Sequence, residues 1–365
     1  MWSLLKSNDN NLSIQLLEPV IFVGSHINTS PVLRGIINIS SYKKCSLKQL
    51  AIHFQGVAKI RFVLNNKLTS DEQLITRNDL TLYSSLHDEI DKPLNSGSNA
   101  LFSFELPLPT GLPETIQSPQ IQVSYQFTLS MDYIKNKKKL SQRANKSVIV
   151  VRLPHSGLLA GENLPEMIGS RKHISPWCQY RITIQKSVAL GSILPIQFEL
   201  VPIVKGFKLK HVFVQLLERR TVIPEVDGQE RTGQFCYFIH PTKRSSLQLP
   251  SNALHDVWET SAEYQIPQKS VTHSTESYRN FSVEHLLLIS FVINVLEEGK
   301  RRKKSRYTTK TICFSTHIDI LDKHIVSDTK LPPYQSSISV EEMEKLERHG
   351  LHQSMSPPPE YRTVI

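Results

Sequence analysis

The chain contains 365 residues, and its 43 lysines and arginines outnumber its 33 aspartates and glutamates, which gives a formal net charge of +10. At about 150 residues per domain, this length predicts about two domains and a tail. Hydrophobic residues make up 39% of the chain, which is too many for a wholly disordered protein, and 14 glycines are too few for a collagen-like one. The first residues lack the pattern of a secretory signal, and the longest apolar segment, 286–296, is about half of a membrane span. We therefore expect a soluble, intracellular protein.

Apolar and polar residues alternate with a period of two through the first half of the chain. From Ile121 to Tyr133 every second residue is apolar and every residue between is polar. Such alternation is typical of a strand with one buried and one solvated face, because successive side chains point to opposite sides of a sheet. The stretches with this pattern are 33–39, 50–62, 102–108 and 121–133. A polar insertion near Asn65 to Ala100 is expected to lie outside the sheets.

The pattern stops in a proline-bearing stretch at 154–176 and then returns. The later stretches with the same alternation are 180–184, 194–200, 212–216, 283–295 and 311–320. Two such blocks predict an all-β protein of two consecutive, immunoglobulin-like antiparallel β-sandwiches with a disordered C-terminal tail. His285, on an otherwise apolar strand face, is interpreted as a core or inter-sheet histidine. The predicted divisions are 1–155 for the first domain, 156–178 for a linker, 179–325 for the second domain and 326–365 for the tail.

The motifs that usually mark an enzyme are absent from the sequence. It contains no glycine-rich phosphate loop, no G-x-S-x-G and no H-E-x-x-H. The four cysteines, Cys45, Cys178, Cys236 and Cys313, are dispersed, so they predict reduced and mostly buried thiols rather than disulfides or zinc ligands. We therefore expect a non-catalytic binding protein without a metal or another cofactor.

The C-terminus carries a P-P-x-Y motif formed by Pro358, Pro359 and Tyr361. Consecutive prolines preform a polyproline II helix, so little conformational entropy is lost when an aromatic groove binds them. The tyrosine returns to the same face about one turn later, and this is the form of ligand that WW domains recognise. Random placement of 21 prolines and 11 tyrosines would give about 0.04 such matches in the whole chain. The motif therefore predicts a WW-domain ligand.

A second candidate of the looser L-P-x-Y form comprises Leu331, Pro332 and Tyr334, although a proline-rich turn at the end of the last domain is the alternative. A flexible link between the two tyrosines would span about 29 Å, since they are 361 − 334 = 27 residues apart. One tail could then engage two WW domains of the same partner, and such tethering raises the apparent affinity without any new contact.

Two basic runs each follow one predicted strand and precede another, which places them on strand-connecting loops. They are Lys137, Lys138 and Lys139 in the first run, and Lys300, Arg301, Arg302, Lys303 and Lys304 in the second. A solvated loop explains either run. The functional alternatives are attraction to anionic lipids or acidic protein segments, and a nuclear or nucleic-acid patch, although the interleaved aromatics of single-strand binders are missing. Ser305 follows three basic residues, so its phosphorylation would weaken such a patch.

Several segments occur in an order that is typical of one protein family. In the first block they are Leu33-Arg34-Gly35, the segment 50–56, the segment 102–109 and the segment 121–125. In the second block they are Leu194-Pro195-Ile196 and the segment 201–209. Together with the P-P-x-Y tail, these segments resemble the α-arrestin family, and in particular the fungal arrestin-related trafficking adaptors, over about 300 residues.

The resemblance implies two arrestin-like β-sandwiches and a tail that recruits a HECT-type (Nedd4-like) ubiquitin ligase through its WW domains. The body would select an integral membrane transporter, which is then ubiquitinated and endocytosed. Pro358, Pro359 and Tyr361 match the ligase-binding motif, with Leu331, Pro332 and Tyr334 as a second candidate. Such an adaptor would be cytoplasmic and peripheral at the plasma membrane, endosome or Golgi, and it would not bind nucleic acid. The alternative is an arrestin-fold sorting-coat or signalling scaffold that the ligase only regulates.

Overall fold

A computed structural model of the chain describes residues 10–24, 30–41, 44–85, 92–153, 167–169, 173–245, 247–275, 278–297 and 306–325. Within these ranges the chain forms twenty-one β-strands, and nearly all neighbouring strands pair antiparallel. The prediction of an all-β protein built from antiparallel β-sandwiches is confirmed. The predicted disordered tail lies outside the described residues.

The first ten strands form the N-sandwich, which consists of two facing sheets with the orders β1-β3-β7 and β2-β10-β9-β4-β5. The rings of Phe104 and Phe127, one from each sheet, stack 5.0 Å apart in the core between them. Short strands β6 and β8 pair with β4 and β9. The bounds are β1 Asn10–Leu16, β2 Val20–Val23, β3 Val32–Ser41, β4 Cys45–Leu64, β5 Lys67–Ser84, β6 Lys92–Leu94, β7 Ser98–Pro107, β8 Ile116–Gln117, β9 Ile121–Lys135 and β10 Lys138–Arg152.

The remaining strands form the C-sandwich, whose two main sheets have the orders β11-β13-β15-β18 and β17-β16-β19-β20. Phe198 on β15 meets Phe291 on β19 edge to face, with ring centroids 6.0 Å apart. Strand β12 pairs with β13, and β14 pairs parallel with β21. The bounds are β11 Met167–Gly169, β12 His173–Ile174, β13 Cys178–Gln185, β14 Ser187–Ala189, β15 Ile193–Pro202, β16 Lys208–Val222, β17 Arg231–Ile239, β18 Trp258–Gln265, β19 Phe281–Glu297, β20 Arg306–His317 and β21 Asp319–Leu321.

Strand β9 shows why the alternating sequence determines the register of these sheets. Its apolar residues from Ile121 to Tyr133 are buried at every second position, as the period predicts. Each such side chain stabilises the fold by about 1.5–3 kcal/mol, and a slip of one residue would turn all of them to solvent. Gly35 on β3 lies opposite Phe104, and a Cβ atom at this glycine would lie 2.7 Å from the ring. Glycine at this position therefore lets the Phe104 ring lie across β3.

The expectation that the stretch from Asn65 to Ala100 lies outside the sheets is wrong. Asn65 and Asn66 form a two-residue turn with φ angles of 49° and 62°, and β5 then pairs along almost the whole length of β4. Strand β5 lies at the edge of its sheet, and most of its side chains remain partly or fully exposed on both faces. An edge strand of this kind needs no apolar face, so its sequence lacks the alternation that marks a half-buried strand.

The expectation of mostly buried thiols holds for only two of the four cysteines. Cys45 and Cys178 are buried, whereas Cys236 and Cys313 are exposed. The latter two occupy outward-facing positions of β17 and β20, where the alternation of the strand leaves every second side chain in solvent. Dispersal along the sequence carries no information about which face of a strand a cysteine occupies.

The two sandwiches belong to one compact unit, Met1–Val326, and apolar contacts join them. Val222, Phe281 and Val283 from the C-sandwich strands pack into the core of the N-sandwich. A separate small cluster brings Val151 of β10 together with β14 and β21. Strands β11 and β12 fall within the stretch predicted as a linker and pair with β13. The domain boundaries at 155/156, 178/179 and 325/326 stay predictions.

Candidate functional site

Most residues predicted to bind partners lie outside the described part of the chain. These are the tail residues Leu331, Pro332, Tyr334, Pro358, Pro359 and Tyr361, the basic residues Lys300, Arg301, Arg302, Lys303 and Lys304, and Ser305. The described residues include the first basic run and the strands that flank the second. They also include the two sandwiches, which together are called the body.

The first basic run forms the tip of the hairpin between β9 and β10. Asn136 and Lys137 are the two turn residues, with φ angles of 50° and 64°, and this geometry matches the right-handed twist of the flanking strands. Lys138 opens β10 directly opposite Lys135, and Lys139 follows it. The tight turn therefore brings together four lysines, namely Lys135 at the end of β9, Lys137 in the turn, and Lys138 and Lys139 at the start of β10.

The side chains of Lys137, Lys138 and Lys139 are exposed and have no ion-pair partner among the described residues. Lys44, also exposed, lies at the same end of the sheet, because it precedes β4 and Ser46 of that strand pairs with Ile134. The prediction of a strand connection is confirmed for Lys137, which is a turn residue, whereas Lys138 and Lys139 belong to the start of β10. The unbalanced charges of this run form a surface that attracts anions.

The second basic run lies between two strands that pair with each other. Strands β19 and β20 are antiparallel neighbours whose last matched residues are Glu297 and Arg306. Lys310 Nζ lies 3.2 Å from Glu297 Oε1. This hydrogen bond, and a second one from the side chain of Thr308, lower the pKa of the Glu297 carboxyl. The flanking strands thus agree with a hairpin connection, while the basic residues themselves lie outside the described ranges.

An ionic cluster that the sequence reasoning missed lies where the sandwiches meet. Arg152, 7% exposed, ends β10 and donates from Nη2 to Asp319 Oδ1 at 2.7 Å and to the Ser274 carbonyl at 3.3 Å. Its Nε lies 3.6 Å from the Glu114 carboxylate, which is buried beside it. This cation bridges the two sandwiches, and removing it while they stay packed would leave the desolvated Glu114 carboxylate without a counter-charge.

A second buried network begins at the same Ser274. The hydroxyl of Ser274 lies 2.8 Å from His285 Nδ1, and His285 Nε2 lies 3.5 Å from Glu218 Oε2. Glu218 also accepts hydrogen bonds from the Arg220 guanidinium and from the Thr272 amide. Burial alone would raise the pKa of Glu218, but these partners together outweigh it and lower the pKa. The prediction that His285 is a core or inter-sheet histidine is confirmed.

Polar contacts extend this interface along β5. Asn280 donates from Nδ2 to Gln73 Oε1, and the Glu225 amide donates to Asp71 Oδ2 at 2.7 Å. The ring of His273 lies 3.0 Å from the Thr115 carbonyl. These bonds, together with the Arg152 cluster, link the two sandwiches at several separated points, so the body can present its surfaces in a fixed arrangement.

A serine, a histidine and an aspartate line up across three strands on the outer face of the N-sandwich. His53 Nδ1 lies 2.8 Å from Asp79 Oδ1, and His53 Nε2 lies 3.1 Å from Ser130 Oγ. The hydrogen bond with His53 lowers the pKa of Asp79. His53 and Ser130 lie on β4 and β9, which are paired on both sides, so their backbone N–H groups are used in the ladder and are not free to stabilise an oxyanion. The three side chains form a hydrogen-bond chain across β9, β4 and β5.

Within the described ranges, no group of three or more histidine, cysteine, aspartate or glutamate side chains is arranged to hold a metal ion. In the same part of the chain, no helix has the length and hydropathy needed to cross a membrane.

The chain is similar in sequence to an arrestin-related protein. No family model matches the chain. It is 25% identical over 334 residues to a Schizosaccharomyces pombe protein that carries the provisional name of arrestin-related trafficking adapter. The alignment covers 78% of this chain and 64% of that relative, so the chain spans less than two thirds of the relative's length. The similarity supports a relation to the arrestin-related proteins, in agreement with the β-sandwich fold.

Proposed function

We propose that this chain is a non-catalytic adaptor that recruits a HECT-type (Nedd4-like) ubiquitin ligase to plasma-membrane transporters, such as nutrient or amino-acid transporters. The ligase ubiquitinates the transporter, which is then endocytosed and sorted. The adaptor works in the cytoplasm and at the surface of the plasma membrane, endosomes or Golgi. Its partners are the WW domains of the ligase, the transporter and anionic lipids. The lipids would bind to the basic hairpin, which is the β9–β10 turn with Lys137, Lys138 and Lys139.

The observation that carries the proposal is the P-P-x-Y motif of Pro358, Pro359 and Tyr361 in a chain similar to an arrestin-related trafficking adapter. A preformed polyproline II segment is a ligand by itself and needs no folded support. Leu331, Pro332 and Tyr334 provide a second attachment point. Two weak ligands on one tail bind a ligase with several WW domains more tightly than either ligand alone.

The β-sandwich body supports the proposal because its two halves are fixed to each other by buried ionic and apolar contacts. A rigid body keeps the surface that would contact a transporter in one fixed arrangement. Lys137, Lys138 and Lys139 at the β9–β10 turn have no ion-pair partner among the described residues, and this favours a location beside an anionic membrane surface, since juxtaposed basic side chains are attracted to acidic headgroups.

Ligase binding tests the proposal directly. The full chain is titrated with the purified WW domains of a HECT-type ligase, and the affinity is measured for the wild type and for Tyr361→Ala, Tyr334→Ala and the double variant. Each single variant should weaken binding, and the double variant should abolish it, because the tyrosine fills the pocket beside the proline groove.

Tyr307→Ala is the matched control, since this exposed tyrosine lies on β20 and outside both motifs. Thermal unfolding of each variant verifies that the body remains folded. Undiminished WW binding by the double variant would refute the proposed recruitment mechanism.

A further inference from the structure

The outer surface of the C-sandwich contains an open, mostly apolar groove of about 450 Å³. One wall is the start of β16, where a bulge between Leu209 and His211 turns His211 outward beside Phe213. The other wall is the loop that follows β17 and includes Leu247 and Leu249. The volume is within the range of sites that accept one or a few side chains.

The loop wall of the groove is anchored at several points. The Thr242 amide donates to the Glu263 carbonyl at 2.7 Å, and the Ser245 hydroxyl accepts from the Glu263 amide at 3.0 Å. Leu247 also packs against the core of the C-sandwich. A wall held to the neighbouring sheet in this way keeps the groove open, so an occupant does not first have to order it.

The groove lies beside an unpaired strand edge. The ladder between β16 and β17 begins at the pair Val214 and Ile239, after which the chain turns away toward β18. Residues 208–213 of β16 therefore pair with β19 on one side, and no described strand pairs with them on the other. A strand edge that has no paired neighbour can accept an extended peptide as an additional strand.

Basic residues lie in or next to both segments that form the groove. Lys243 lines it, Arg244 follows in the loop, and Lys210 precedes His211 on the bulge, and all three are exposed. None of the three has an ion-pair partner among the described residues. The apolar centre is formed by Phe213, 43% exposed, and Leu249, 37% exposed. An apolar centre with a basic rim is complementary to an apolar side chain flanked by acidic ones.

We propose that this groove binds an extended segment of a partner protein in which a bulky apolar residue is flanked by acidic residues. The apolar side chain fills the space between Phe213 and Leu249. The acidic side chains lie near Lys210, Lys243 and Arg244, and the peptide backbone pairs with residues 208–213 of β16. This binding activity belongs to the body and does not depend on ligase recruitment by the tail.

The experiment uses the full chain to select from a display library of short peptides whose central apolar residues are flanked by Asp or Glu. A matched library carries Lys or Arg in the flanks. We expect enrichment from the acidic library, and the affinity of an enriched peptide is then measured by fluorescence anisotropy. Phe213→Asp and Lys243→Glu should each weaken it about tenfold or more, as expected at the centre of an interface and at its charged rim.

The control variants are Leu68→Asp and Lys67→Glu, which alter an exposed leucine and an exposed lysine on the β4–β5 hairpin of the other sandwich and should leave binding unchanged. Methylation of alternate backbone amides of the peptide should weaken binding through lost ladder hydrogen bonds. If Phe213→Asp does not fold, the affinity of the peptide for Lys243→Glu, which alters the exposed loop, decides the test.

Three outcomes would overturn the proposal. The first is an absence of enrichment, or enrichment from the basic library. The second is an enriched peptide whose affinity is the same for the groove variants and the wild type. The third is concentration-dependent dimerisation of the chain that is lost in Phe213→Asp, which would identify a second copy as the occupant.

Discussion

Arg152 at the end of β10 forms a two-point ion pair with Asp319 at the start of β21, although 167 residues separate them in the chain. Its Nη2 and Nη1 atoms lie 2.7 and 3.3 Å from the two carboxylate oxygens. This pair links the last strand of the N-sandwich to the last strand of the chain that the structure describes. A parallel, bidentate geometry fixes both the distance and the angle between the two elements.

Replacing Arg152 by methionine should therefore lower the free energy of unfolding by about 3–5 kcal/mol, because the buried Glu114 carboxylate and the partly exposed Asp319 carboxylate would lose their shared cation. Chemical denaturation of the full chain measures the change. Arg34→Met is the control, since Arg34 pairs at the surface with Glu105 and should cost about 0–1 kcal/mol. Equal costs for the two variants would contradict a stabilising role for the buried cluster.

The Glu218 network should make stability depend on pH in the acid range. Since the pKa of Glu218 is lowered below its ordinary value of 4.5, the carboxylate contributes stability that is present above pH 4.5 and is lost as the pH falls through the folded pKa. The difference in unfolding free energy between the wild type and Glu218→Gln should thus shrink below about pH 4.5. Denaturation series between neutral and acid pH measure it, with the exposed Glu259→Gln as control. A difference that stays constant with pH would contradict the assignment.

Two buried tyrosines should respond in opposite ways to loss of the hydroxyl. Tyr125 donates to the Pro113 carbonyl, so Tyr125→Phe should lower the free energy of unfolding by about 1 kcal/mol. The Tyr264 hydroxyl is buried without a partner among the described residues, and burial raises its pKa to about 12. Tyr264→Phe should therefore raise stability by about 1 kcal/mol, since an unsatisfied polar group is removed. Urea midpoints of the two variants compare them directly, and a loss of stability in Tyr264→Phe would be the contrary result.

The basic hairpin should contribute to membrane binding without contributing to folding. Replacing Lys137, Lys138 and Lys139 by alanine should weaken binding to phosphatidylserine vesicles by about 1 kcal/mol per lysine. The loss should diminish as salt is added, because the interaction is screened. Co-sedimentation with vesicles measures it, and Lys67→Ala at the tip of the β4–β5 hairpin is the control. Unchanged sedimentation of the triple variant would exclude this surface as the lipid contact.

The sequence predicts local features of this protein well and long-range ones poorly. The alternation from Ile121 to Tyr133 predicts β9 and its buried face, because one strand contains the whole signal. The same signal does not identify strand β5, since an edge strand with two partly exposed faces has no such period. Arg152 follows a run of apolar residues, which hints at a buried cation, but no local pattern identifies Asp319 as its partner. The β16 groove likewise depends on where β17 leaves its neighbour, which only the strand pairing reveals.

The central claim is that the tail couples transporters to a ubiquitin ligase, and quantitative surface proteomics tests it most directly. Surface transporters are compared in cells that lack the chain, in cells with the wild type and in cells with the Tyr334→Ala/Tyr361→Ala variant. We predict that the same transporters accumulate at the surface with the double variant as in the absence of the chain. Normal removal of those transporters by the double variant would contradict the account and would favour a sorting scaffold that the ligase only regulates.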